Sequence, residues 1–167
     1  IIEKYWQPTS SFDGQPVDAS QLFRERLIDS VRLRYRSDVP VGICLSGGVD
    51  SSNLMAASSL VLGDIGQGEL HAFSATHHQE RWNESSEVMR VLAGFPNVQA
   101  HYLDTTTGVT YQDFIAFLRM HDEPISSDGI YNQFRFMQQV NQHGMKVMLS
   151  GQGADELFLG YPWYIRQ

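Results

Sequence analysis

The chain is nearly devoid of cysteine. Cys44 stands alone in 167 residues, so neither a disulfide framework nor a thiolate zinc site can be built, and a reducing, cytoplasmic setting is expected. Cations are also scarce. Twelve Lys and Arg face nineteen Asp and Glu, a formal net charge of -7, which argues against a protein that holds nucleic acid by neutralising phosphates. A single nucleotide is still accessible to an acidic chain, because backbone N–H groups and Mg²⁺ can supply a local positive field. No apolar run approaches the ~20 residues that span a bilayer, so no membrane role is expected. The opening Ile1-Ile2-Glu3-Lys4-Tyr5-Trp6 has no Met, no basic stretch and no signal-type apolar segment. The chain reads as a piece of a longer protein.

What is present is one domain's worth of alternating patterns. Residues 7 to 19 carry Pro8, Gly14 and Pro16 among Ser, Thr and Asp, which is loop chemistry and reads as a linker. From about Ser20 the pattern turns helical, with Phe23, Leu27, Val31 and Tyr35 at spacings of four. After Pro40 come four short apolar runs, Val41 to Leu45, Leu70 to Thr76, Val98 to Leu103 and Lys146 to Leu149, bounded as strands are. Between them the spacing predicts helices at about Ser51 to Leu62, Ser85 to Ala93, Tyr111 to His121 and Ile130 to His143. Strands alternating with such helices predict an α/β domain, a parallel sheet covered on both faces in three α/β/α layers.

Two strand exits carry the chemistry. The first run ends in Leu45-Ser46-Gly47-Gly48-Val49-Asp50-Ser51-Ser52 and enters a helix, so paired glycines let the backbone turn and aim N–H groups at one point. With the helix N-terminus and three hydroxyls nearby, that point is an anion site. It lacks the Lys of the common phosphate loop and the spacing of the Rossmann glycines. The last run ends in a similar loop, Ser150-Gly151-Gln152-Gly153-Ala154-Asp155-Glu156. If the first and last runs are neighbours where the winding reverses, both loops face one crevice, and Asp50 and Asp155 become two hard oxygen ligands able to share Mg²⁺ with phosphate oxygens.

Leu45 to Ser52 resembles the pyrophosphate loop (SGGxDSS) of ATP pyrophosphatases, and Ser150 to Tyr161 resembles the SGEGADELFGGY motif of asparagine synthetases. Tyr5-Trp6, His71 to Ala75 and Asn83-Glu84-Ser85 extend the likeness over nearly the whole chain. The resemblance implies an adenine nucleotide alpha hydrolase-like fold over residues 20 to 167, with residues 1 to 19 leading in from a missing glutaminase domain. It implies an AMP-forming amide ligase: a carboxylate, aspartate's side chain in the family, attacks ATP with loss of pyrophosphate, and ammonia from glutamine then forms the amide. Residue by residue it places Leu45, Ala75, Ser150 and Gly151 around adenosine. Ser46, Gly47, Gly48, Asp50, Ser51 and Ser52 fall on the pyrophosphate side, Asp50 and Asp155 at the metal, and Gln152 with Asp155 at the reacting groups. The implied partners are ATP, Mg²⁺, the acceptor and ammonia, and a homodimer is compatible with the family. The family's synthetase domain continues beyond residue 167 and includes a catalytic Lys there.

Gln152 stands where the asparagine synthetase motif has Glu, and an amide cannot act as a carboxylate base. That opens two alternatives, a related amidotransferase acting on another carboxylate such as a sugar acid, and a nucleotide-binding module without catalysis. Asn83 replaces Asp and Leu159 replaces Gly. Among residues outside the two loops, Cys44 reads as packing, and Ile130, Phe134, Met137 and Val140 as a helix core stripe. His77-His78, taken as strand neighbours pointing to opposite faces, should not share a metal. The stretch His121 to Pro124 with Ser126, Ser127 and Asp128 reads as a turn and helix cap, and it also resembles a family loop near the substrate.

Overall fold

The computed structural model describes residues 3–5, 18–66, 68–79 and 83–164. Of the linker expectation for residues 1 to 19, all but 3–5 and 18–19 lies outside these, as do Trp6 and Gln167. Four strands, β1 (Val41–Cys44), β2 (Leu70–Thr76), β3 (Val98–Asp104) and β4 (Val147–Leu149), form one sheet in the order β3-β2-β1-β4. Every pairing is parallel, with Ile43 opposite both Ala72 and Leu149. Among the described residues six α-helices flank the sheet: α1 (Ala19–Arg34), α2 (Val49–Asp64), α3 (Ser85–Leu92), α4 (Tyr111–Met120), α5 (Asp128–Gln142) and the short α6 (Ala154–Phe158). No helix among the described residues is long and apolar enough to cross a membrane.

The order of strands follows from the connections. Each crossover from β1 through α2 to β2, and from β2 through α3 to β3, adds a strand on one side. The chain then returns through α4 and α5 and lays β4 on the other side of β1, so the winding reverses between β1 and β4. Side-chain alternation divides the core to match. Val41, Ile43, Leu45, Leu70 and Ala72 pack with Val31, Tyr35, Met55, Val61 and Val88 under α1, α2 and α3. Phe73 and Cys44, the alternate positions, pack with Leu103, Phe136, Val140 and Met145 under α5. Three layers result.

The boundaries moved by a residue or two from the sequence pattern. Asp18 caps α1, its Oδ1 accepting from the N–H groups of Ser20 and Gln21 at 3.1 and 3.2 Å, so the helix starts just before Ser20. Leu45 is outside β1, yet its N–H still donates to the Phe73 carbonyl at 2.8 Å. Of the stripe expected on α5, Val140 and Met137 join the core under the sheet, and Phe134 departs from it. Phe134 turns towards α4, meeting Phe117 at 5.0 Å between ring centroids, whereas the sheet side is held by Phe136 and Val140. The five-residue α6 makes Asp155 a carboxylate in the first turn of a helix, a position the dipole favours.

Candidate functional site

At the carboxyl ends of β1 and β4 the two Ser-Gly loops leave neighbouring strands and bound a cleft of about 520 Å³. That size lies in the ordinary range for small-molecule sites, roughly 300–1,000 Å³. Leu45, Ser46, Asp50, Ser51, Ala75, Ser150, Gly151, Gln152 and Asp155 line it, so nine of the expected residues converge. Gly47, Gly48 and Ser52 are in the first loop and helix but not on the cleft wall.

The first loop is tied by its own hydroxyls. Ser46 N–H donates to Ser51 Oγ at 3.2 Å, Ser51 Oγ donates to the Gly48 carbonyl at 3.2 Å, and Ser46 Oγ lies 3.0 Å from Ser51 Oγ. These bonds fold residues 46 to 51 over the N-terminus of α2, where Gly48 sits at the cap without a side chain and Asp50 occupies the first turn. The helix N–H groups there are left for a ligand. Gly47 has φ +76°, and a Cβ on it would lie 2.6 Å from Glu87 Cβ, so α3 presses directly on the turn.

The second loop is held as closely. A Cβ on Gly151 would stand 3.1 Å from Asp50 Cβ and 3.2 Å from Ser51 N, which puts the two loops in van der Waals contact across the switch point. Asp155 lies in the first turn of α6, and Gly160 closes the motif by donating its N–H to the Asp155 carbonyl at 3.1 Å. Any side chain at Gly160 would run into the Asp155 carboxylate. Tyr161 donates its hydroxyl to Glu156 at 2.6 Å, a bond that pushes the phenol up to about 12 and holds Glu156 below its ordinary value.

Asp50 and Asp155 both face the cleft, and neither side chain is hydrogen-bonded to another described residue. They fit a hard cation that completes its shell with water and phosphate oxygens, the usual arrangement for Mg²⁺. No cluster of three or more His, Cys, Asp or Glu able to hold a metal unaided occurs among the described residues.

Several wall residues were not among the sequence candidates: Glu84, Thr105, Asn132, Gln133, Phe136 and Met137. Met137, a core position by its spacing, both packs under the sheet and reaches the cleft. Glu84 sits at the start of α3, where burial and then the neighbouring Glu87 raise its carboxyl. Asn83 does there what an aspartate would, its Oδ1 accepting from Ser85 N–H and Oγ at 3.3 and 2.6 Å. Cys44 also touches the cleft from β1, and burial pushes its thiol up to about 11, an inert state in neutral water. Ser127 is the cap residue of α5, and of the stretch from His121 to Asp128 none lines the cleft. His77 and His78 correct their premise: they follow β2, and their rings stack at 4.6 Å instead of pointing apart.

Residues 22–167 match the profile of the asparagine synthase family. A putative glutamine-hydrolysing asparagine synthetase of Mycobacterium tuberculosis is 33% identical over 98% of this chain and 25% of that protein. Asparagine synthetase 3 of Bacillus subtilis, also named as glutamine-hydrolysing, is 29% identical over 98% of the chain and 28% of its own length. The amidase chyE of Penicillium rubens is 27% identical over 83% of the chain and 22% of its length. The chain thus spans about a quarter of the curated relatives it matches. Among solved structures, the NH3-dependent NAD synthetase of Campylobacter jejuni superposes with a TM-score of 0.58 at 18% identity, over 87% of this chain and 62% of that one. At that identity the likeness concerns the fold alone, a parallel α/β sheet with helices.

Proposed function

The chain belongs to the asparagine synthase family, and from that premise we propose that it is the nucleotide-binding part of an ATP-dependent, AMP-forming amide ligase. One observation carries the reading: two Ser-Gly loops on adjacent parallel strands meet at the point of reversed winding and present Asp50 and Asp155 to one cleft. Leu45, Ala75, Ser150 and Gly151 take the adenosine side. Ser46, Gly47, Gly48, Ser51 and Ser52, with the N–H groups opening α2, receive the pyrophosphate side. Gly47 and Gly48 act through backbone and turn shape, and Ser52 through the helix start.

In the first step an oxygen of the acceptor carboxylate attacks the α-phosphorus of ATP. The bond from that phosphorus to the bridging oxygen breaks, and pyrophosphate leaves with the electron pair. Ammonia then attacks the acyl carbon, AMP departs, and the nitrogen loses a proton. No protein nucleophile is needed, so the residues act by orientation and charge placement. Bound Mg²⁺ would neutralise phosphate charge. Asp50 and Asp155 would hold it, and the α2 terminus would bear on the leaving pyrophosphate.

Aspartate is the acceptor that family membership favours, with ammonia supplied from glutamine elsewhere in the parent protein. A sugar acid is the second reading, favoured by one observation: Gln152, an amide that can neither act as base nor carry negative charge, lines the cleft where the family motif has Glu. The test is product analysis on the full-length protein. AMP and pyrophosphate should form only when a carboxylic acid is supplied, and a panel of aspartate and sugar acids identifies which. Release of ADP and phosphate, or nucleotide turnover indifferent to every acid, overturns the ligase reading.

A further inference from the structure

The phosphate-side residues leave one wall of the cleft unused. α5 contributes Gly129, Asn132, Gln133, Phe136 and Met137, and offsets of three, four, seven and eight from Gly129 put them on a single helical face. Phe136 and Met137 anchor that face against the sheet. Asn132 and Gln133, nearer the N-terminus of α5, carry carboxamides that make no hydrogen bond to any described residue. The side chains of Gln152 and Glu84, also on the cleft, are uncommitted in the same way. Polar groups converging uncommitted on a concavity are the usual source of a site's specificity.

The charge of the wall narrows what these groups can recognise. Among the described residues the cleft lining holds three carboxylates, Asp50, Glu84 and Asp155, and no Lys, Arg or His. A second anionic substrate here meets neutral N–H donors first. Carboxamides supply those without adding a counter-ion, and they also accept from hydroxyls. Glu84, whose carboxyl is raised by burial, gains most from a partner that donates hydrogen bonds.

We propose that Asn132 and Gln133 are specificity-determining residues that bind the acceptor carboxylic acid, together with Gln152 and with Glu84 receiving a second, hydrogen-donating group of the acceptor. That group is an ammonium in an amino acid or a hydroxyl in a sugar acid. The inference rests on the amide-ligase reading and adds where, and by what chemistry, the acceptor is held. The nucleotide lies on the loop side and the acceptor on the α5 side.

The test uses full-length protein with two variants, Asn132→Ala and the nearly isosteric Gln133→Glu, which places a fourth negative charge on the wall. Wild type is first assayed for acid-dependent pyrophosphate release with aspartate and with sugar acids, and the active acid is carried forward. Each variant should raise the KM for that acid about tenfold or more, the scale of one lost polar contact. The Kd for Mg·ATP and kcat at saturating acid should stay within about threefold. An ammonium acceptor predicts that Glu84→Gln also raises KM strongly, and a hydroxyl acceptor predicts a smaller rise. An unchanged acceptor KM in both variants overturns the proposal, as does a loss of Mg·ATP affinity matching the loss for acid, since α5 would then belong to the nucleotide. If wild type releases no pyrophosphate with any acid, the ligase reading itself has failed, an outcome separate from a wild type that works and variants that do not respond.

Discussion

Leu159 is the one non-glycine with positive φ among the described residues, at φ 60° and ψ 36° just after α6. The left-handed conformation brings Cβ towards the carbonyl and costs roughly 1–2 kcal/mol in an L-residue, whereas glycine adopts it freely at helix ends. Leu159 is 62% exposed, so little burial offsets the strain. Leu159→Gly should therefore stabilise the fold by about 0.5–1 kcal/mol after the added entropy of an unfolded glycine, read as a higher denaturant midpoint. A lower midpoint would mean that the leucine is packed by something outside these residues. The departure is legible in the motif, since glycine is the family residue there. Its conformation could be known only from the backbone.

Asp50 is the second residue whose role can be isolated. Its carboxylate faces the cleft from the first turn of α2, and Asp50→Asn keeps shape while removing charge. Under the proposed assignment Mg²⁺-dependent ATP binding weakens by about 1–3 kcal/mol, the range of a lost charge-assisted contact. Calorimetric titration at fixed Mg²⁺ checks it, and an unaltered affinity in a folded variant would remove Asp50 from the metal. Asn132 and Gln133 are not legible in the sequence as cleft residues for a plain reason. A polar side chain in a helix carries no local mark of whether it meets solvent or a cleft.

Among the elements, α4 and α5 meet the rest of the fold differently. α4 starts with a reciprocal cap: Thr110 Oγ1 accepts from Asp113 N–H at 3.2 Å, and Thr110 N–H and hydroxyl donate to Asp113 Oδ2 at 3.2 and 2.6 Å. Thr110→Ala removes one half and should cost about 1 kcal/mol, within the usual 0.5–2. Because α4 contributes nothing to the cleft wall, Mg·ATP affinity should not change, and a parallel loss of binding would show that α4 is coupled to the site. α5 explains why a periodic stripe misled: it has neighbours on three sides, α4 at Tyr131 and Phe134, the sheet at Phe136 and Val140, and the cleft at Asn132 and Gln133. A single apolar stripe cannot describe a helix with three contacts.

For the molecule as a whole, a row of imidazoles on the α5 face of the sheet is one source of pH dependence. His101 lies between His71, with 2.9 Å from its Nε2 to His71 Nδ1, and His143 at the end of α5, and its ring stacks on Phe73 at 4.5 Å. Burial first, then the charges of His143 and His71, lower His101 from its ordinary 6.5. The fold thus prefers the neutral ring, and as pH falls the unfolded chain takes up this proton first. The contribution is complete above about pH 6.5 and is lost as pH drops through the lower folded value. Wild type should therefore melt at a lower temperature near about pH 5 than near about pH 7.5, and His101→Phe should narrow that gap. An equal gap in the variant would assign the pH response to other groups.

Local patterning alone reported the layer architecture, the positions of four strands and five helices, and the two Ser-Gly loops at strand exits. These are local matters: periodicity reports which side of an element is buried, and glycine after a strand reports where a backbone must turn. The unaided reach of the sequence ended at adjacency. That β4 lies beside β1 was a condition in the sequence argument, and only the closed sheet decided it, because strand order depends on pairing between segments about a hundred residues apart. The same closure brought Gly151 against Asp50, turned Gln152 to the cleft, and set Asn132 and Gln133 of α5 on the same cleft as the two Ser-Gly loops. Side chains from three separate elements become one wall only when the core beneath them has packed, and no spacing along the chain encodes that distance.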